Sequence, residues 1–159
     1  MDFVADEFTD GRRFRTLTVL DLFTRHCLDI AVGRGLTGQD VVATLERLRF
    51  DRGLPQRIYC DNGERVCRRR DGSLGIYEQG ILDFSRRGKP TDNAAIESFN
   101  GRLRDECLNV HWFEGLEDAT AKIEAWRQDY NANHPHRALK GLSPNEYARM
   151  TMEPAAESL

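Results

Sequence analysis

Lys89-Pro-Thr-Asp-Asn-Ala-Ala-Ile-Glu-Ser-Phe-Asn-Gly-Arg-Leu-Arg104 is the stretch around which the rest of this chain is arranged. Thr91 or Asp92 can cap a helix, and Pro90 just ahead keeps any upstream helix from running into it. Inside that helix Glu97, Asn100, Gly101 and Arg104 fall at i, i+3, i+4 and i+7, so they share one face. Ile96, Phe99 and Leu103 make the adjoining apolar stripe. A carboxylate, an amide and a guanidinium on one face suit a metal-bound, phosphate-containing ligand. A solvated face of an ordinary amphipathic helix has the same pattern, so partners elsewhere in the chain must decide.

Upstream of this helix, Ile81-Leu-Asp-Phe-Ser85 predicts a strand, followed by the basic loop Arg86-Arg87-Gly88-Lys89. Pro55 to Cys60 predicts another short strand, which delivers Asp61-Asn62-Gly63 to a tight turn. Further back, Met1 to Ala5, Arg12 to Asp21 and Cys27 to Val32 read as three strands, with Asp10-Gly11 as the first hairpin turn. A helix starts at Thr37 and ends near Gly53, burying Val41, Val42, Leu45 and Leu48. Downstream, Glu117 to Asn131 predicts a helix with Ala121, Ile123, Ala125, Trp126 and Tyr130 available for packing. Ser143-Pro144-Asn145-Glu146 supplies a cap, a first-turn proline and an acid for a last one. The pattern is α/β, and in open α/β sheets active sites gather beyond the carboxyl ends of strands, where Asp61 sits.

Composition narrows the class without naming it. A chain of 159 residues, 40% hydrophobic and 31% charged, fits one globular domain, here taken as residues 1–150 with a frayed tail over 151–159. No apolar run approaches the roughly 18 residues of a membrane span, and no signal-peptide pattern is present, so a cytoplasmic protein is expected. The four cysteines form no Cys-x-x-Cys pair, which points to reduced thiols instead of a zinc ribbon or disulfide framework. A net charge of −3 argues against a generally basic nucleic-acid binder, so any DNA contact rests on local clusters.

Three acids complete the reading: Asp2, Asp61 and Glu97, the last two separated by 35 intervening residues. With Met1-Asp-Phe, Val19-Leu-Asp-Leu-Phe-Thr-Arg25, Cys60-Asp-Asn-Gly63 and the run Gly88 to Asn109, the chain resembles the catalytic core of retroviral-integrase-like (DDE) transposases, the second-frame proteins of a large insertion-sequence family. Trp126, Tyr130-Asn131, Pro135-His136, Leu139, Leu142-Ser-Pro144 and Glu146 extend the match. The resemblance implies a ribonuclease-H-like fold, a five-stranded mixed sheet flanked by helices, with its first strand truncated ahead of Asp2. It implies Asp2, Asp61 and Glu97 as catalytic metal ligands for two Mg2+ (or Mn2+) ions, a donor set of hard oxygens suited to those cations. It also implies DNA contacts from Arg86, Arg87, Lys89, Asn100 and Arg104, with element ends and target DNA as partners and self-association or assembly with an intact transposase. Such a protein is nucleoid-associated when on DNA. A non-transposing nuclease of the same fold fits the run from Lys89 to Asn109 less well. Asp21 is expected to shape the turn after its strand, His134 and His136 to pack a loop, and Trp112, Phe113 and Trp126 to be core.

Residues 64–76 depart from the family. Where relatives carry an amphipathic helix ending in Trp-Ala-Tyr, this chain has Glu64-Arg-Val-Cys-Arg-Arg-Arg-Asp-Gly-Ser-Leu-Gly-Ile76, with two glycines and no apolar stripe. Permitted codons for this segment, read one base later, spell Ser-Glu-Phe-Val-Ala-Ala-Ala-Met-Asp-Arg-Trp-Ala-Tyr, the missing family segment. The expectation is an impaired enzyme, or an inactive remnant that binds DNA weakly. Sequencing the gene through codon 77 is expected to show that shifted reading. Codons that exclude it would make 64–76 a genuine variant loop and its arginines a surface to test for DNA binding.

Overall fold

The second strand explains the layering. In Arg13–Leu20 the residues alternate across the pleat, yet Phe14, Thr16, Leu17, Thr18, Val19 and Leu20 are all buried. A strand apolar on both faces needs cover on both, and gets it. The computed structural model describes residues 1–53, 55, 57–60, 81–84 and 90–152. Among them β1 (Asp2–Glu7), β2 (Arg13–Leu20) and β3 (Cys27–Gly33) form an antiparallel meander in sequence order. The register runs from Asp2↔Thr18 to Glu7↔Arg13, and from Arg15↔Gly33 to Leu20↔Cys27 with a shift between Val19 and Leu20. β4 (Arg57–Cys60) and β5 (Ile81–Phe84) form a separate parallel pair. The Met1 nitrogen bridges the two sheets by donating to the Tyr59 carbonyl at 2.8 Å.

α1 (Gly38–Arg52) covers one face, packing Val41 and Leu45 on Met1, Leu17, Val19 and Cys60. Thr37 and Asp40 form its capping box, and Gly53, at φ 85°, ends it. The opposite face carries α2 (Pro90–Leu103), a π-helical turn (Arg104–Leu108) and α3 (Leu116–Asn133). There Ile96, Phe99, Leu103, Cys107 and Ile123 pack on Val4, Phe14 and Ile30. α2 starts at Pro90, a turn-one position that suits a residue without an N–H, and so slightly ahead of the expected Thr91 or Asp92 cap. α4 (Pro144–Met152) follows the expected box: the Ser143 N–H donates to Glu146 and the Glu146 N–H to Ser143 Oγ.

Three packing expectations fail. Trp112 is 80% exposed, whereas its neighbour Phe113 is buried. The segment around them is neither helix nor turn, and Phe113 turns inward against Phe14. Ala121 and Ala125 face solvent, because each lies two residues, about 200° of helix rotation, from the buried Ile123. Asp21 does shape its turn, accepting from the Phe23 N–H and the Thr24 hydroxyl. Cys27, Cys60 and Cys107 are buried free thiols, and burial pushes the Cys107 thiol up to about 11. Cys67 and the tail beyond Met152 lie outside the described residues.

α3 is stitched to the edge of β3 by side chains that imitate a neighbouring strand. The Cys27 N–H donates to Asn131 Oδ1 at 2.8 Å, and Asn131 Nδ2 donates back to the Cys27 carbonyl at 2.9 Å. Arg127, paired with Glu124, adds a second donor to that carbonyl. Removing Asn131 strands a buried N–H, a loss of about 1–3 kcal/mol. Urea unfolding of Asn131→Ala is expected to show a destabilisation of that size.

Candidate active site

The polar face of α2 lies over the start of β1, and one side chain joins them. Asn100 Nδ2 donates to Asp2 Oδ2 at 2.8 Å, and Thr18 Oγ1, on the neighbouring strand, donates to Asn100 Oδ1 at 2.9 Å. The Thr18 hydroxyl also lies 3.1 Å from the Asp2 carbonyl. The other Asp2 oxygen, Oδ1, accepts from the Phe3 N–H at 2.7 Å. Each carboxylate oxygen has a further lone pair, so Asp2 is held in place and still able to bind a cation. Glu97 is exposed and sits one helical turn before Asn100 on the same helix.

Arg104 sits on the π-helical turn and donates from Nη2 to the Ala5 carbonyl at 3.1 Å, so it too leans on β1 with its side chain exposed. The structure therefore brings Asn100 and Arg104 onto β1, which carries Asp2, with Glu97 three residues before Asn100 on the same helix. Asp61, Arg86, Arg87 and Lys89 lie outside the described residues. Among the described residues no three His, Cys, Asp or Glu side chains form a metal-holding group. The donor chemistry present, two carboxylates with free lone pairs and no thiolate, fits a hard cation such as Mg2+ or Mn2+. Thr18 was not legible as part of this group; a threonine at 16 and at 18 in an otherwise apolar buried strand is the signal it leaves.

The other side of α2 borders a cavity of about 460 Å³, lined among the described residues by Leu20, Tyr59, Ala95, Phe99, Arg102 and His136. His134 stacks on Tyr130 with ring centroids 5.2 Å apart, and His136 meets the same ring edge-on at 5.4 Å. These histidines pack a loop, as expected. His136 Nε2 is buried without a hydrogen-bond partner. Burial, with the nearby His134, Arg102 and Arg25, pulls its pKa down to about 4.

A carboxylate-bearing helix laid over the first strand of an antiparallel meander, with a parallel pair following, is the arrangement of an integrase-type core. Residues 81–144 match the family model described as integrase core domain. The chain is 47% identical over 148 residues to an uncharacterised 31.7 kDa protein of insertion element IS407 from Burkholderia multivorans, covering 93% of this chain and 53% of that one. It is 41% identical over 150 residues to a 39.2 kDa protein of insertion element IS476 from Xanthomonas euvesicatoria, covering 93% and 43%. Its fold matches the HTLV-2 integrase catalytic core, solved in complex with magnesium in a trimeric form, with a TM-score of 0.62 at 13% identity, covering 92% of this chain and 94% of that one. The chain is thus similar over most of its length to proteins of insertion elements and carries an integrase core domain match over residues 81–144. It spans about half the length of the curated relatives it matches. No helix among the described residues is long and apolar enough to cross a membrane.

The His136 environment sets an acid limit on stability. The fold keeps this ring neutral down to about pH 4, whereas the unfolded chain protonates it near 6.5. The unfolded state therefore binds more protons in that window, and stability falls as pH drops from 6.5 towards 4. Thermal melts of His136→Phe are expected to show a shallower loss of Tm across that window than the unsubstituted protein.

Proposed function

We propose that this chain is the catalytic core of a transposase that cuts DNA at the ends of a mobile element and joins the resulting 3′-hydroxyl to target DNA. Asp2, Asp61 and Glu97 are the carboxylates of the site, and they hold Mg2+ or Mn2+. The observation that carries this reading is the 2.8 Å bond from Asn100 to Asp2, which sets Glu97 one helical turn from a strand-borne carboxylate. Asp61 follows directly on β4, and the Met1 to Tyr59 bond draws β4 alongside β1, which supports a place for Asp61 beside Asp2. The same bond supports a single ribonuclease-H-like mixed sheet in the order β3-β2-β1-β4-β5.

The chemistry the bound ions supply is activation of the attacking oxygen and stabilisation of the leaving one. The protein's part is to fix the carboxylates and to grip the DNA backbone. Arg86, Arg87, Lys89 and Arg104 are the cations assigned to phosphate contact, which positions DNA without reading its bases. Partners are the element ends, target DNA and further copies of the transposase. The altered 64–76 segment, next to Asp61, supports an impaired form of this activity.

Nicking of supercoiled plasmid in Mg2+ or Mn2+ tests the reading, with the chain as it stands and with 64–76 replaced by the family segment. Nicking that depends on the cation is expected, weaker in the unaltered chain, and lowered at least about 100-fold by Glu97→Gln. Equal nicking by Glu97→Gln would remove Glu97 from the metal ligands. Absence of nicking in both forms would leave an inactive remnant.

A further inference from the structure

We propose that Asn100 is a positioning residue for the Asp2 carboxylate, held by Thr18. The inference rests on Asp2 being a metal ligand, as proposed above. Its ground is that the amide is engaged at both ends. Nδ2 meets Asp2 Oδ2 at 2.8 Å and Oδ1 receives the Thr18 hydroxyl at 2.9 Å. Those two bonds connect three elements: α2 through Asn100, β2 through Thr18 and β1 through Asp2.

Orientation is the point of the arrangement. An asparagine amide can sit either way round, and only one way offers N–H to a carboxylate. The acceptor-only Asp2 carboxylate selects the way that presents N–H, and Thr18 Oγ1, donating to the carbonyl end, holds the amide in it. Turned over, Asn100 would set its own oxygen against Asp2. Thr18 is buried and held by strand pairing on both sides, so it cannot follow a rotating amide. The bond also acts as a ruler. Asn100 is carried by the same helix as Glu97, so fixing Asn100 on Asp2 sets the Glu97 backbone relative to the Asp2 carboxylate before any cation arrives. A carboxylate held in place beforehand avoids the ordering cost that a free side chain would meet on binding. Outer residues that orient metal ligands in this way typically change metal affinity 10–100-fold when removed.

Mn2+ binding to the full DNA-free chain, measured by titration calorimetry, and binding of a fluorescein-labelled duplex in EDTA, measured by anisotropy, separate positioning from DNA contact. Asn100→Ala and Thr18→Val are expected to weaken Mn2+ binding about 10–100-fold and to leave duplex affinity in EDTA within about twofold. Thr18→Ser, which keeps the hydroxyl, should restore Mn2+ binding. Thr18→Val alters no helix residue, so it tests the orientation even if Asn100→Ala unfolds. Binding that requires Asp2, by comparison with Asp2→Asn, but is indifferent to Asn100 and Thr18 would overturn the positioning role alone. Duplex affinity falling in Asn100→Ala with Mn2+ affinity intact would return Asn100 to the backbone contacts. Mn2+ binding unchanged by Asp2→Asn would overturn the metal-ligand reading itself, and the positioning role with it.

Discussion

Burial of β2 on both faces is the constraint from which the rest follows. A strand running Phe14, Thr16, Leu17, Thr18, Val19 and Leu20 through the interior leaves no face for solvent, so helices must close it from both sides. α1 does so with Val41 and Leu45, and α2 with α3 does so with Phe99, Leu103 and Ile123. The two threonines are tolerated inside because each hydroxyl finds an acceptor, Thr16 the Val4 carbonyl and Thr18 the side-chain oxygen of Asn100. The second of these reaches α2. The most buried strand is thus tied to the helix that bonds to Asp2.

α2 does two tasks with its two sides. Ile96, Phe99 and Leu103 anchor it in the core, while Asn100 stands over β1 and Glu97 faces solvent. The π-helical turn that follows widens the coil where Arg104 reaches the Ala5 carbonyl. Side chains from α3 reinforce the far edge: Asn131 and Arg127 satisfy backbone groups of Cys27 that a further strand would otherwise take. The helices are held by directional bonds to the sheet as well as by apolar contact.

Local chemistry was readable in the sequence; long-range chemistry was not. The caps at Thr37 and Ser143, the Asp21 turn, the alternation of the three-stranded meander and the α2 stripe all follow from residues within a few positions of one another. Asp2 and Glu97 were found through a resemblance in motif, and Asn100 with them. That Asn100 is engaged by Thr18, 82 positions away, and Cys27 by Asn131, 104 positions away, has no local trace. Such pairings exist only once the strands are in register. Trp112 was misjudged because hydrophobicity measures what a residue prefers, whereas the chain can turn only one of two neighbours inward, and Phe113 took that place.

The division of α2 into a core side and a site side bears on how such a gene ages. Substitutions at Glu97 or at the solvent-facing Gly101 touch no apolar contact and leave the helix seated, whereas substitutions at Phe99 or Leu103 open the core and take the fold with them. Two separate clocks therefore run on fourteen residues, α2 being of that length. Copies of a mobile element scattered through genomes and released from selection will fall silent as enzymes well before they stop folding. Folded copies with no chemistry of their own can then persist beside active ones and compete for the same partners.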